Sequence, residues 1–194
     1  MVKMEQVKSL REKTGAGIVE VKKALEAAGG DEEKAIRILR ESGAAKAVKK
    51  TDREAKEGVI TTYLHSNGRI GAMVKLYCET DFVARNEEFQ LLGRDIAMQV
   101  TAMNPAALRP EDVSDASVAK EKEIWIEQLR QEKKPEAMME MILAGKEKKF
   151  REEGALLSQS FVKDPTKTIR DIVTESVQKM GENIQVGEFV RFEI

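Results

Sequence analysis

Apolar residues recur at helical spacing through the first 43 positions and are interrupted by glycine. Val7 and Leu10 share one face of a first helix that stops at Thr14-Gly15-Ala16-Gly17, and Ile18, Val21, Ala24 and Leu25 form the inner stripe of a second. Gly29-Gly30 ends that helix. Asp31 is a natural N-cap for a third, with Glu32 and Glu33 in its first turn and Ala35, Ile38 and Leu39 facing inward until Gly43 supplies a stop. Residues 1–43 therefore predict a three-helix module. Its core is small, so exposed apolar positions on it are candidate contact sites. The charged segment over 44–57, free of Gly and Pro, predicts a semi-rigid helical linker.

The period then changes from helical to alternating. Apolar and polar residues alternate on both sides of Ser66-Asn67-Gly68, a strong hairpin signal. A three-residue loop pairs His65 with Arg69 and gathers Ile60, Leu64, Ile70, Val74 and Leu76 on one face, whereas a two-residue loop splits that set, so the three-residue loop is expected. Residues 79–85 show neither period. Asn86 caps the next helix, whose inner face is Phe89, Leu92, Ile96, Val100 and Met103, broken at Asn104-Pro105.

Residues 112–153 are mostly charged, with apolar entries at Val118, Ile124, Leu129, Met138, Met141, Ile142 and Phe150 and a break at Lys134-Pro135. That pattern predicts a protruding hairpin of two antiparallel helices, with Met138, Met139 and Met141 either an adaptable contact surface or, as favoured here, its core. Residues 156–162 look extended. After Asp164-Pro165 a last helix begins at Thr168, buries Ile169, Ile172, Val173 and Val177, and ends at Gly181. Val190, Phe192 and Ile194 alternate in a terminal strand. The fold class expected is α+β: the helical module over 1–43, the linker over 44–57, and over 58–194 a core of antiparallel sheet with packed helices carrying the helical hairpin.

Composition narrows the function. Apolar residues make up 41% of the 194, enough for a core, and 33 basic against 34 acidic side chains leave a formal charge of −1, with no bulk field for nucleic acid or an anionic membrane. The N-terminus lacks an apolar run suited to a signal or a span, so the expected place is the cytoplasm. A single cysteine and a single histidine point away from a metal centre and from any cofactor held by soft ligands. They also limit catalysis. Any His-dependent nucleophile must pair His65 with Cys78, and in the expected register Cys78 lies roughly 30 Å along the strand on the opposite sheet face. Thr14-Gly15-Ala16-Gly17 lacks the Gly-Lys-Ser/Thr of a phosphate loop. The residues predict a non-enzyme whose partner is a protein. An RNA-associated protein would show a basic stripe with interleaved aromatics, and only 5% of residues are aromatic.

Leu10 to Gly17 (LREKTGAG) with VKKAL behind it, and Cys78 to Phe89 (CETDFVARNEEF), resemble the elongation factor Ts family. FVKDPTKTI at 161–169, GEN at 181–183 and RFE at 191–193 extend the likeness in order along the chain. The resemblance implies a ubiquitin-associated (UBA-like) module at the N-terminus and a guanine nucleotide exchange factor for the GTPase EF-Tu, binding its GDP-bound and nucleotide-free forms. It implies that Thr80, Asp81, Phe82 and Val83 form the loop that enters the partner's G domain, Phe82 as an apolar wedge and Asp81 as the group that disturbs the polar network holding magnesium. Pattern alone favours Phe82 as a core residue at a strand-to-helix corner, with Thr80 or Asp81 as a turn or capping group, and the resemblance reverses that preference. The resemblance further implies partner contacts at Leu10, Arg11, Ile18 and Val19, at His65, and at Met180 and Gly181. Leu10 and Ile18 also suit a helix core, His65 a turn flank, and Gly181 a helix stop. Only one copy of the hairpin-and-helix core fits in 194 residues, which resembles the short form of the family and implies a homodimer and a two-to-two complex. The C-terminal edge strand or the free hairpin edge are the candidate dimer surfaces.

Overall fold

A computed structural model of the protein describes residues 2–14, 16–48 and 50–194, and of residues 12, 44, 46 and 48 the backbone alone. Helices α1 (Met4–Thr14), α2 (Ile18–Ala27) and α3 (Glu32–Val48) come first. Strands β1 (Glu57–Leu64) and β2 (Ile70–Cys78) follow, then α4 (Asp81–Ala84), α5 (Glu87–Met103), α6 (Asp115–Gln131) and α7 (Glu136–Gly154). The chain closes with β3 (Ser160–Phe161), β4 (Asp164–Thr168), α8 (Ile169–Met180) and β5 (Gln185–Glu193). The class is α+β, as expected. Contacts gather the residues into two units, one of residues 1–59, 76–92 and 171–185, the other of 60–75, 93–170 and 186–194.

In the first unit the three-helix module packs as its stripes dictate. Val7, Leu10, Val21, Ala24, Leu25, Ala35 and Leu39 form one buried cluster, with Ile36 and Ile38 partly buried against it. Asp31 Oδ1 accepts from the Lys34 N–H at 3.0 Å, and this bond holds the Asp31 carboxyl below its ordinary range. Thr14 closes α1 by donating back to Leu10 O at 2.7 Å, while Gly15, expected in that stop, lies outside the described residues. Ile18 is not in the core. It opens α2 and is half exposed.

Gly43 does not end α3, which runs on to Val48. The glycine is a point of close approach: a Cβ there would fall 1.7 Å from Gln178 Nε2, so that amide would have to swing away. The linker expected to be helical over 44–57 is helical only as far as Val48. Turns follow, with the Lys50 N–H donating to Ala47 O and the Arg53 N–H to Lys50 O, both at 2.9 Å.

The three-stranded sheet has the order β1-β2-β5. Its hairpin departs from the expected register. The His65 N–H donates to Ile70 O at 2.9 Å and the Gly68 N–H to His65 O at 2.8 Å, so the loop holds residues 66–69, one more than expected. A one-residue slip reverses the faces of β1 relative to β2. Ala72, Val74, Leu76 and Cys78 are buried, whereas Ile60 and Leu64 are 64% and 68% exposed on the other face. The expected register assumed one apolar face, and this sheet has two.

In the second unit α6 and α7 form the helical hairpin, broken at Lys134-Pro135 as expected. Trp125 packs edge-on against Phe150, with centroids 5.8 Å apart, and Arg151 ties the two helices by bonding Asp115 and Val113 O. Met138 and Met141 do not fill this core, while Met139 is half-buried. Met138 is 47% exposed and Met141 69%, and Ile124 is also exposed, because two isolated helices share one narrow seam. The segment expected to be extended over 156–162 contains a 3₁₀ turn at Leu156–Ser158 before β3, which pairs antiparallel with β4. Buried Gln99 joins these pieces, donating to Gln159 Oε1 at 3.2 Å and accepting from the Val162 N–H at 3.0 Å. Helix α5 keeps the expected inner face at Phe89, Leu92, Ile96 and Val100, while Met103, near its end, is 49% exposed. No helix among the described residues is long and apolar enough to cross a membrane.

Candidate functional site

Strand β2 ends at Cys78, which is buried and donates from Sγ to Thr80 O at 3.2 Å. Burial, with the Glu182 carboxylate nearby, pushes this thiol up to about 11. Thr80 is extended (φ −128°, ψ 155°), and its hydroxyl accepts from the Val83 N–H at 3.4 Å, so Thr80 N-caps a single helical turn where the sequence showed no period. The turn buries Ala84 and carries an Asp81–Arg85 ion pair of 3.1 Å. Phe82 points out of it and is 82% exposed. The alternative of a core phenylalanine is thereby removed.

A second segment meets this corner from more than a hundred residues away. Helix α8 ends at Met180, and Gly181 turns the chain with φ +80°, a left-handed conformation that favours glycine. Lys50 Nζ donates to Gly181 O at 2.6 Å. Glu182 then points back at the corner. Its Oε2 accepts from the backbone N–H groups of Glu79 and Thr80, both at 3.0 Å, and its Oε1 accepts from Thr80 Oγ1 at 2.6 Å. The bonding is reciprocal, since Glu79 Oε1 accepts from the Asn183 N–H at 2.6 Å. Asn183, 2% exposed, donates from Nδ2 to Arg53 O at 2.7 Å. Met180 and Gly181 are thus joined to the Thr80–Val83 corner through Glu182. Glu79, Glu182 and Asn183 had no role in the sequence-based site, and no local pattern could have revealed one, because each pairing spans the length of the intervening core.

The remaining candidates are dispersed. Leu10 is completely enclosed in the module's core, whereas Val19 is 65% exposed, Ile18 is 50% exposed, and Arg11 also lies at the surface. His65 is exposed at the end of β1 in the second unit, with the Tyr63 hydroxyl 3.5 Å from its Nδ1. Among the described residues no cluster of His, Cys, Asp or Glu has the makings of a metal site. The polar atoms of the corner are engaged with one another, the Thr80 hydroxyl acting both as donor to Glu182 and as cap for Val83. The arrangement presents an exposed apolar ring on a hydrogen-bonded support.

A family model described as elongation factor TS matches residues 4–194. The chain belongs to the elongation factor Ts family. It is 55% identical to elongation factor Ts of Thermodesulfovibrio yellowstonii over 190 residues, covering 98% of this chain and 94% of that protein. It is 52% identical to elongation factor Ts of Thermosipho melanesiensis over 194 residues, 100% of this chain and 99% of that protein. Against elongation factor Ts of Thermotoga maritima the identity is 50% over 193 residues, 100% of this chain and 96% of that protein. Its 194 residues match the short form of the family. As an elongation factor Ts it is the nucleotide exchange factor for EF-Tu, a cytoplasmic translation factor and not an enzyme.

Proposed function

We propose that the Thr80–Val83 corner opens the nucleotide site of EF-Tu by insertion. Phe82 enters between helices of the partner's G domain, and Asp81 disturbs the polar network around magnesium, so that the ion is dislodged and GDP leaves before GTP is loaded. The observation that carries this reading is the 82% exposure of Phe82 on a turn braced from behind. A large aromatic side chain loses favourable burial when left in water, and its full burial against a partner returns about 1.5–3 kcal/mol. Exchange then follows from linkage: a protein that binds the nucleotide-free GTPase better than the loaded form weakens nucleotide binding by the same factor. Arg11, Ile18 and Val19 supply a second contact from the module, supported from beneath by Leu10, and His65, Met180 and Gly181 supply further ones. Rapid mixing of EF-Tu carrying a fluorescent GDP analogue with the wild type and with Phe82→Ala tests the wedge. Strong acceleration by the wild type, much reduced in the variant, is expected; equal acceleration by both refutes the wedge while leaving the exchange activity intact.

The protein is further proposed to act as a homodimer, engaging EF-Tu in a two-to-two complex. An exposed apolar sheet face supports this. Ile60, Leu64, Met73, Val190, Phe192 and Ile194 are all exposed within the second unit, and a shallow depression of about 270 Å³ lies among Leu64, Met73, Phe192 and Ile194. Contiguous apolar surface of this kind marks an interaction site, and a flat face can complement itself across a two-fold axis. On this reading the dimer contact lies on the sheet's face rather than on either edge strand. Sedimentation equilibrium of the free protein is expected to return twice the 21.7 kDa chain mass; a monomer at micromolar concentration overturns the proposal.

A further inference from the structure

We infer that Glu182 is a positioning residue for exchange, holding the Phe82 wedge in its projecting pose by fixing the backbone and the N-cap that precede it. The inference rests on the proposed wedge role of Thr80–Val83. A helix of one turn, Asp81–Ala84, has no stability of its own, because nucleation costs more than a single turn of hydrogen bonds returns. Something outside it must hold it. Glu182 bonds the two backbone amides immediately before the turn and the hydroxyl of its capping residue.

The chemistry fits a carboxylate and little else. Three donors converge on two oxygens, and each carboxylate oxygen can accept more than one bond. Thr80 donates its hydroxyl proton to Glu182 Oε1, which leaves an oxygen lone pair free to accept the Val83 N–H. Glutamine keeps the length but exchanges one acceptor oxygen for an amide donor. Aspartate is one methylene too short. The reverse bond from the Asn183 N–H to Glu79 makes a two-way brace, so the corner cannot swing without breaking bonds on both segments. Asn183, enclosed and bonded to Arg53 O, anchors the far side. A wedge presented in its inserted pose loses less conformational freedom when it enters the partner, and the gain is greatest where insertion is deepest.

The test uses the full chain and EF-Tu carrying a fluorescent GDP analogue, with release followed across a range of exchange-factor concentrations to separate limiting rate from half-saturation. Glu182→Gln, Glu182→Ala, Phe82→Ala and the double variant Phe82→Ala/Glu182→Ala are compared, each with a thermal melt. The limiting rate is expected to fall about tenfold in Glu182→Ala and about threefold in the isosteric Glu182→Gln, which keeps the wild-type melting temperature within a few degrees. In the Phe82→Ala background, Glu182→Ala should cost less than about twofold, because the residue acts through the ring. Wild-type limiting rates in both Glu182 variants, or the same loss with and without Phe82, overturn the inference. If Glu182→Ala fails to fold, the Gln variant alone decides, in both backgrounds. Failure of the wedge itself reads differently, as a normal limiting rate in Phe82→Ala.

Discussion

Two regions of this protein expose apolar side chains, and they do so in opposite ways. At the corner after β2 a single ring, Phe82, stands out of a polar surround whose bonds brace the backbone beneath it. On the outer face of the sheet Ile60, Leu64, Met73, Phe192 and Ile194 are exposed together, carried by strands whose ladder hydrogen bonds already hold them. An isolated ring on a braced turn suits insertion into a partner that must be entered and left at every cycle of exchange. A broad flat face suits a lasting contact, because its stabilisation grows with area and needs no moving part. The contrast teaches that exposure alone does not name a function. What supports the exposed group, and how many neighbours share its exposure, are the features by which the proposed wedge and the proposed dimer face differ.

The sharpest way to break the comparison is to charge the sheet face. Leu64→Asp with Phe192→Asp buries two unpaired carboxylates per chain in any face-to-face dimer, and dissociation should rise at least about a thousandfold, seen as the monomer mass in light scattering. A dimer that survives both changes would move the interface elsewhere. Next in size is the wedge. Phe82→Asp should lower the limiting rate of GDP release about a hundredfold, whereas Phe82→Leu, which keeps apolar bulk, should stay within about fivefold. Equal losses would mean that a specific aromatic contact, and not apolar volume, carries the effect.

A smaller change sharpens the division of labour within the first unit. Val19→Glu on the module surface should weaken half-saturation about tenfold and leave the limiting rate close to wild type, since a contact made equally before and after opening contributes binding only. Aimed at the brace itself, and not at exchange, is the reactivity of Cys78. With its thiol pushed from 9.0 up to about 11, the thiolate fraction at pH 8 is about a hundredfold lower than for an unperturbed group, and alkylation by iodoacetamide should slow at least in proportion. The sign for stability follows. A thiol favoured in its neutral form by the fold costs nothing below about pH 9 and destabilises the fold progressively as the pH rises toward 11. Rapid alkylation at pH 8 would show that the corner opens locally, and would remove the contrast between a braced ring and a mobile one.

Much of this molecule was legible along the chain because its helices are written in local terms. Asp31 and Asn86 cap as expected, Asn86 Oδ1 accepting the Glu88 N–H at 2.8 Å, and Asn104-Pro105 and Gly181 end helices where the pattern stopped. The family resemblance singled out Thr80–Val83, and these residues lie between β2 and α5 with Phe82 exposed. Other features misled in instructive ways. Gly43 looks like a stop and is a packing point beside Gln178. Met138 and Met141 sit at helical spacing on α7 but have no second surface to bury them. The hairpin register failed for a related reason: periodicity reports that a strand has sides, not whether one or both sides will be covered.

By itself, the sequence determined the family, most of the helices, and the strands of the hairpin and the C-terminus, because caps, breakers and side-chain period act over a few residues. Tertiary structure alone decided the pairing of His65 with Ile70, the exposure of Ile60 and Leu64 on a second sheet face, and the outward pose of Phe82. It also decided that Glu182 would return to brace Thr80. Those outcomes depend on which distant segment supplies a hydrogen-bond acceptor or an apolar cover, and that is set only when the whole chain has closed around its cores.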